Sequence, residues 1–151
     1  MELDMEPLGF YSKEWADKVV ELTNSDEEYQ KKTKGYTAKF IFVVIDCPDG
    51  TDVKILWDFV QGKLVNMEYT KKPAPSDMRI GVEHWDDSIS MAKNQGSYEA
   101  FAKVRRGEMT VLGTMGAKLM KVEGDLIKGM SMMAYNVAFA ALQDQIPVNF
   151  K

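Results

Sequence analysis

The chain has 151 residues, a length typical of one domain, and we expect a single domain over residues 1–151. Hydrophobic residues make up 45% and charged residues 28%, as in ordinary globular proteins. A single cysteine, Cys47, excludes an internal disulfide. The formal net charge of −4 disfavours nucleic acid as a partner, because nucleic-acid binders usually carry a basic surplus. The termini show neither a signal peptide nor a peroxisomal tail, so we expect a cytoplasmic protein.

Two helices are predicted at the start of the chain. Apolar residues at helical spacing predict a helix over 12–23, with its first residue as the N-cap. Ser25 and Glu28 fit a capping box, which predicts a second, acidic helix over 25–32. Gly35 follows as the stop signal.

Three strands follow. The apolar run Phe40–Ile45 predicts a central strand covered on both faces. Residues 48–50 form a Pro-Asp-Gly turn, and alternation over 52–59 predicts the second strand. A Gln-Gly turn at 61–62 leads to the third strand over 65–70. Together they predict an antiparallel meander.

The middle of the chain is less regular. Prolines interrupt the pattern within 71–87, which the sequence does not assign to an element. Weak alternation over 88–91 favours a fourth strand, with a short helix as the alternative. Ser97 caps a predicted helix over 98–106. A fifth strand is predicted over 117–123.

The last predicted helix runs over 126–143 and is capped by Asp125. From 129 to 143 it has 15 uncharged residues, fewer than the roughly 17–25 of a membrane span. It carries two apolar stripes on different sides: Leu126, Met130, Met133 and Val137, and Met132, Tyr135, Phe139 and Leu142. One stripe suffices to dock a helix on a sheet. The other must meet a partner subunit, further core or a lipid.

Methionine is concentrated in the same part of the chain. Six of the eleven methionines fall within 109–133. Because methionine is flexible and polarisable, it adapts to irregular apolar space. The cluster indicates either an ordinary core with flexible filler or a deformable ligand pocket.

The sequence offers little for catalysis. His84 is the only histidine and has no Ser or Cys partner in a known motif, so we expect neither catalysis nor a metal site. We expect Cys47 to be a small buried hydrophobe and Asp86-Asp87 to cap a strand entry. Residues 113–116 lack the lysine and hydroxyl residue of a phosphate loop. The sequence therefore predicts neither an enzyme nor a cofactor.

Several segments occur together in a recognisable order. They are Glu14-Trp15, 22–29 (LTNSDEEY), 96–101 (GSYEAF), 107–109 (GEM) and 116–125 (GAKLMKVEGD). Together they resemble the sterol carrier protein 2 family in its stand-alone, single-domain form. The similarity covers most of the chain, and its specificity lies in the order and spacing of the segments.

The resemblance implies an α+β fold with a five-stranded mixed, mainly antiparallel sheet covered by helices and an internal apolar pocket. It also implies non-catalytic binding and transfer of fatty acids, fatty acyl-CoA, sterols or phospholipids in an apolar tunnel. Two departures concern the ligand: Ala117 is displaced by one from a frequent Gly-Lys start, and 71–87 is longer than usual, which would reshape the pocket mouth.

On this basis we expect eleven residues to line the pocket: Trp57, Phe59, Phe101, Val104, Met109, Leu112, Met115, Leu119, Met130, Met133 and Val137. The expected partner is a lipid or other apolar small molecule, and both transient membrane contact and a homodimer are compatible with it. The alternative is a protein-interaction or dimerisation module that uses the apolar C-terminal helix.

Three cations lie at the end of the predicted helix 98–106: Lys103, Arg105 and Arg106. Their simplest role is to complement the helix dipole. The alternative is contact with an anionic headgroup at the mouth of the pocket.

Overall fold

The structure, a computed structural model, describes residues 2–150. The elements follow in the order β1 (Leu8–Gly9), α1 (Lys13–Ser25), α2 (Glu27–Lys32), β2 (Ala38–Ile45), β3 (Thr51–Val60), β4 (Lys63–Pro73), β5 (Ala92–Ser97), α3 (Tyr98–Arg105), α4 (Val111–Gly116), β6 (Met120–Gly124), α5 (Leu126–Ser131), α6 (Met133–Gln143) and β7 (Val148–Asn149).

Five strands form one sheet in the order β4-β3-β2-β5-β6. The pairs β2–β3, β3–β4 and β5–β6 are antiparallel, and β2–β5 is parallel. The predicted α+β fold with a five-stranded mixed, mainly antiparallel sheet is confirmed. The predicted meander is confirmed as β2-β3-β4. The short strands β1 and β7 pair separately and in parallel, which joins the two ends of the chain.

Both N-terminal helices are present, with one change in their capping. The Ser12 hydroxyl accepts a hydrogen bond from the Trp15 N–H at 3.1 Å, so Ser12 caps α1 as predicted. The cap of α2 is Asp26, whose carboxylate accepts from the Tyr29 N–H at 2.9 Å. The capping box predicted for Ser25 is wrong, because Ser25 is the last residue of α1.

The fourth strand lies later in the chain than predicted. It is β5, whereas residues 88–91 precede it as turn and irregular backbone. The prediction misplaced this strand because two of its buried residues are polar. The Lys93 and Gln95 side chains lie buried on the sheet, so this strand lacks the apolar alternation that signals a strand. Asp86 therefore caps no strand, and its carboxylate instead accepts hydrogen bonds from Ser88 within a turn.

The C-terminal part also differs from the prediction. The helix predicted over 126–143 is interrupted at Met132, which separates α5 from α6. A further helix, α4, was not predicted; the Thr110 hydroxyl caps it by accepting from the Gly113 N–H at 2.9 Å. The last sheet strand begins only at Met120, because the chain first leaves α4 through Lys118, which has a φ of 59°.

The two faces of the sheet are covered differently. Helices cover the front face, where α6 places Phe139 on the Trp57 and Phe59 rings. The back face is covered by the irregular segment 74–91, which we call the back-face segment. This segment includes residues 74–87 of the stretch 71–87 that the sequence did not assign to an element.

Polar contacts fix the back-face segment across several strands. Arg79 donates to the buried Asp52 carboxylate on β3 at 2.8 and 3.0 Å. The Ile80 N–H donates to Gln95 on β5 at 2.6 Å. The Trp85 N–H donates to Glu123 on β6 at 2.8 Å. Buried Ile41 and Val43 of β2 lie on the same side, so the central strand is covered on both faces, as predicted.

Candidate functional site

Burial on the front face falls from β3 toward β6. The strand register aligns three rows of front-facing residues across β3, β2, β5 and β6: Trp57, Phe40, Ala92 and Gly124; Ile55, Phe42, Asn94 and Val122; and Val53, Val44, Gly96 and Met120. In each row the β3 residue is buried and the β6 residue is not. The β2 and β5 residues are buried in the first and third rows and half-buried in the second. The front face is therefore closed over β3 and open toward the edge strand β6.

The closed half is packed with aromatic side chains. The Phe139 ring lies 5.3 Å from Trp57 and 4.9 Å from Phe59 between centroids. The Tyr36 ring lies 4.7 Å from Phe59, and Trp15 lies 6.3 Å from Trp57. Two of the eleven predicted lining residues, Trp57 and Phe59, thus lie in a core made by the protein's own rings.

The open half has a floor of partly exposed apolar side chains. Phe101 of α3 and Met120 of β6 meet above Gly96, where an added Cβ would lie 3.0 Å from each of them. The Phe101 ring also lies 6.2 Å from Phe42. Phe42, Phe101, Met120 and Val122 are all half-buried, and we call these four residues the open face.

Large exposed apolar side chains lie on α4, on α5 and on the residues between α4 and β6, which precede and follow the edge strand of the open half. We call them the apolar rim: Val111, Leu112, Met115, Leu119, Leu126, Ile127 and Met130. Ile127 is 85% exposed, Met130 73% and Leu112 65%. No helix within residues 2–150 combines the length and the apolar character that crossing a bilayer requires.

The eleven predicted residues thus separate into three groups. Trp57 and Phe59 are core. Phe101, Val104, Met109 and Met133 are half-buried. Exposed positions are held by Leu112, Met115, Leu119, Met130 and Val137. Phe42, Met120, Val122 and Ile127 were not predicted. Phe42 stood in a recognised strand, but its place on the open half depends on strand pairing that the sequence did not give.

The two stripes of the C-terminal helix also separate. Phe139 and Leu142 are buried, and Met132 and Tyr135 pack against the same core, so this stripe docks on the sheet. Leu126, Met130 and Val137 of the other stripe are exposed, and Met133 is half-buried. Because the helix is interrupted at Met132, these four residues are divided between α5 and α6 and do not form one stripe of one helix, although three of them are exposed.

Two surface clefts lie elsewhere. The larger, of about 480 Å³, lies between the start of β2, residues 85–91 and the first turn of α5. It is lined by a mixture that includes Lys39, Trp85 and Asp87. The smaller, of about 80 Å³, lies beside Tyr11, Cys47 and Tyr98. None of the eleven predicted residues lines either of these clefts, both of which lie within residues 2–150.

The side chains most suited to catalysis or metal binding, those of His84 and Cys47, lie in ordinary structural environments. The exposed His84 ring has its Nδ1 3.0 Å from the Glu123 carboxylate. Burial, with the nearby Asp49 and Asp52 carboxylates, raises the pKa of the Cys47 thiol to about 11, so it stays protonated at neutral pH. Across residues 2–150, no three His, Cys, Asp or Glu side chains form a group that could hold a metal ion.

Two of the cations at the end of α3 are engaged within the chain. Arg105 donates to the Ile146 carbonyl at 2.9 Å, and Arg106 donates to Glu99 at 2.9 Å. These bonds tie α3 to the C-terminal segment and to its own first turn. Both guanidinium groups therefore have a structural role.

A mixed five-stranded sheet with helices on one face and an open edge defines the class: the chain has the fold of the sterol carrier proteins. It is similar over 100% of its length to 99% of a conserved hypothetical protein from Thermus thermophilus, described as possibly a sterol carrier protein, with a TM-score of 0.71 and 12% identity. It is also similar to sterol carrier protein 2, with a TM-score of 0.67, 13% identity and coverage of 90% of this chain and 98% of the other.

Sterol carrier protein 2 from Yarrowia lipolytica, in its apo form, gives a TM-score of 0.53 at 13% identity, covering 97% of this chain and 100% of the other. No protein-family model and no curated protein sequence matches the chain. At these identities the similarity is one of fold. The fold implied by the sequence resemblance is confirmed.

Proposed function

We propose that this protein binds lipids and transfers them without catalysing a reaction, and that the acyl chain or sterol lies on the open face. The observation that carries the proposal is the apolar rim. Soluble proteins rarely expose large contiguous apolar patches unless the patch contacts a ligand, a partner or a membrane. Here such side chains lie on the elements directly before and after β6, the edge strand of the uncovered half of the sheet, whereas the other half is packed with aromatic rings.

Half-buried and exposed positions would contribute to the site in different ways. Phe101, Met120 and Val122 form the floor against which a chain of methylene groups would pack. Met115, Leu119 and Met130 lie at its border and, through flexible side chains, would close over ligands of different shape. Trp57 and Phe59 would support the site from below without touching the ligand.

The energetics permit binding without a polar anchor. A buried methylene contributes about 0.8 kcal/mol, so a chain of roughly sixteen carbons gains about 12 kcal/mol at most. Association and ordering cost roughly 4–15 kcal/mol. With a cost near the low end, net binding of about −8 kcal/mol corresponds to a micromolar Kd. Such a site would select for apolarity and length, and fatty acids, fatty acyl-CoA, sterols and phospholipids all qualify.

The first experiment is lipid extraction from the purified protein followed by mass spectrometry, together with titration by a fluorescent fatty acid. We expect copurified lipid and a micromolar Kd. In the titration, Val122→Asp should weaken binding about tenfold or more, since it places a charge on the floor of the site. Val65→Asp is the matched control: this exposed valine lies on β4, the opposite edge strand, and should bind like the wild type.

The results also separate the proposal from its alternative, a dimerisation or protein-interaction module. Native mass spectrometry that shows a doubled mass and no lipid would favour the module. Equal loss of binding in both variants, or no binding by the wild type, would overturn lipid binding on the open face. Circular dichroism of each variant shows whether the fold is retained.

A further inference from the structure

We propose that the smaller cleft binds the uncharged polar head of a lipid whose apolar chain lies on the open face, and that the Tyr98 hydroxyl anchors this head. The proposal rests on lipid binding by the open face and narrows the ligands to long-chain alcohols and other lipids with a small neutral head. Four features of the cleft support it: an unpartnered hydroxyl, its size, its charge and its position.

The first feature is the Tyr98 hydroxyl. Tyr98 lines the cleft and is 5% exposed, yet its hydroxyl has no hydrogen-bond partner among residues 2–150. Burial raises the pKa of this hydroxyl to about 12, with contributions from Cys47 and Asp49, which also line the cleft. The hydroxyl therefore stays protonated and lies toward the cleft. A buried hydroxyl without a partner is unfavourable, and an oxygen atom of a ligand in the cleft would satisfy it.

The second feature is the size of the cleft. Its volume of about 80 Å³ is close to half that of an engineered cavity of roughly 150 Å³ that binds benzene. A head of about three non-hydrogen atoms therefore fits, and a phosphate-containing head does not. Phe10, Tyr11 and Val53 form part of the wall, so the carbon atoms next to the head group would lie against apolar side chains.

The third feature is the charge in the cleft. Lys71 lines the cleft but is paired with Asp49 at 2.8 Å. After burial, the carboxylates of Asp49 and Asp52 are the largest causes of the raised pKa of the Cys47 thiol, and each outweighs the opposing effect of the Lys71 charge. The field at the thiol is therefore negative, which disfavours a ligand carboxylate. A hydroxyl head carries no charge and can both donate and accept a hydrogen bond.

The fourth feature is the position of the cleft next to the open face. Tyr11 forms the wall between them, because it lines the cleft and its ring lies 5.3 Å from the Phe101 ring. Val53 of the cleft lies in the same row of front-facing residues as Gly96, two strands away, and Gly96 lies beneath Phe101. Two strand spacings amount to about 10 Å. An extended dodecyl chain is longer than this, so one ligand can place its chain on the open face and its head in the cleft.

The test compares dodecanol with dodecanoic acid, which share a chain length and differ in the charge of the head. Each is used to displace a fluorescent fatty acid from the full chain at about pH 8, where the carboxyl group is ionised. Tyr98→Phe should weaken dodecanol binding about fivefold, the contribution of one hydrogen bond, and leave dodecanoic acid binding unchanged. Tyr29→Phe is the matched control, because Tyr29 is 4% exposed and does not line the cleft. Unchanged dodecanol binding by Tyr98→Phe would overturn the anchor.

The stability of Tyr98→Phe gives a second, independent readout. Because the Tyr98 hydroxyl has no partner among residues 2–150, its removal should leave the thermal midpoint of the ligand-free protein unchanged or raise it. A lowered midpoint would show that the hydroxyl already bonds within the protein, which contradicts a role in holding a ligand.

Cys47 reports directly on occupation of the cleft, since it lines the cleft and is the only cysteine in the sequence. Saturating dodecanol should slow alkylation of this thiol by iodoacetamide severalfold, because access to the thiol limits its reactivity. Saturating dodecanoic acid should not, since its charged head stays outside the cleft. Equal protection by both ligands would contradict selection for a neutral head, and protection by neither would place the head elsewhere.

Charge is tested with Asp49→Asn, which leaves Lys71 without its partner. Binding of dodecanoic acid should strengthen severalfold, because the negative field in the cleft is reduced. The control Asp77→Asn removes the same charge from an ion pair with Lys72 on the back-face segment and should change the binding of neither ligand. Dodecanoic acid binding that does not respond to Asp49→Asn would show that charge does not set the preference.

Failure of this proposal is separable from failure of the proposed function. If both ligands bind the wild type while Tyr98→Phe changes neither affinity and neither ligand protects Cys47, the cleft holds no head group and lipid binding on the open face stands. If the wild type binds neither ligand, lipid binding itself is wrong and the assignment of the cleft is wrong with it.

Discussion

The two halves of the front face differ although they share one sheet. Over β3, aromatic rings from α1, α6 and the sheet exclude solvent, and Ile55 and Trp57 are buried. Over β5 and β6, Met120 and Val122 remain partly exposed, and the neighbouring helix α5 buries nothing. The difference indicates that the closed half carries most of the folding stability, which leaves the open half free to expose apolar surface. Stability in proteins is commonly uneven in this way.

The largest expected contrast is between Phe139→Ala and Met130→Ala. Removal of the Phe139 ring leaves a cavity beside Trp57 and Phe59 and should cost about 3–5 kcal/mol of unfolding free energy. Truncation of the exposed Met130 should change the unfolding free energy by no more than about 0.5 kcal/mol. Urea denaturation of both variants measures the contrast. Equal costs would show that the halves do not differ.

The back face of the same sheet can be compared with the open half of the front face, because the back-face segment covers it as far as β6. Burial alone would raise the pKa of the Asp52 carboxyl, but hydrogen bonds from Arg79 and Ser76 outweigh burial and hold that pKa well below its usual range. Asp52→Asn should cost about 3 kcal/mol at neutral pH, since it leaves Arg79 without its buried partner.

The sign of the pH dependence follows from the lowered pKa of Asp52. Its stabilising contribution is fully present above the unfolded value of about 4 and is lost as the pH falls below it toward the folded value. The urea midpoints of wild type and Asp52→Asn should therefore approach each other progressively as the pH falls below about 4. A gap that keeps its neutral-pH size down to about pH 2 would show that the carboxylate charge is not what matters.

Gly62 and Gly116 differ in backbone conformation and in the space available for a side chain. At Gly62 in the closed half φ is 84°, and an added Cβ would lie 2.6 Å from the Thr33 carbonyl oxygen. Gly62→Ala should therefore cost at least about 1–2 kcal/mol. Gly116 ends α4 in open space, and Gly116→Ala should be neutral or stabilise by about 0.4–1 kcal/mol. Thermal unfolding of the two variants and the wild type measures both changes in stability. A destabilising Gly116→Ala would mean that α4 contributes more than its exposure indicates.

The smallest contrast concerns two hydrogen bonds. The Tyr36 hydroxyl donates to the Asn136 side-chain oxygen at 2.7 Å and ties α6 to the start of β2. Asn136→Ala should cost about 1 kcal/mol. The exposed Ser131 hydroxyl donates to the Lys128 carbonyl at 2.6 Å within α5, and Ser131→Ala should have almost no effect on the urea midpoint. A larger effect at Ser131 than at Asn136 would reverse the comparison.

Much of the fold could be predicted because local signals agree with it. Ser12, Ser97 and Asp125 cap their helices as expected, and alternation marks β3 and β4. The misplaced fourth strand shows the limit of alternation. β5 buries Lys93 and Gln95, and their partners lie on a segment without regular structure. When the hydrogen-bonding partners of such residues are unknown, a sequence with polar residues at buried strand positions is typical of a loop.

The candidate site was less predictable, because exposure depends on how strands order themselves. The same apolar alternation describes Trp57 on β3 and Val122 on β6, but only the first lies under α6. The parallel pairing of β2 with β5 places β6 at the edge, and no local pattern encodes that pairing. Helical spacing did mark Leu126, Met130 and Val137 as apolar residues beyond those needed to dock one helix, but it did not predict that they are divided between α5 and α6.

The two edge strands of the five-stranded sheet, β4 and β6, each lack a neighbouring strand on one side. Their amino-acid composition affects whether the protein aggregates at high concentration. β6 has five residues and places Lys121 outward, while β4 carries Lys63, Lys71 and Lys72 and ends in Pro73. Short length, lysine and proline at such borders discourage strands of another molecule from adding on. The protein can thus expose apolar side chains to solvent while its edge strands resist pairing with strands of other molecules.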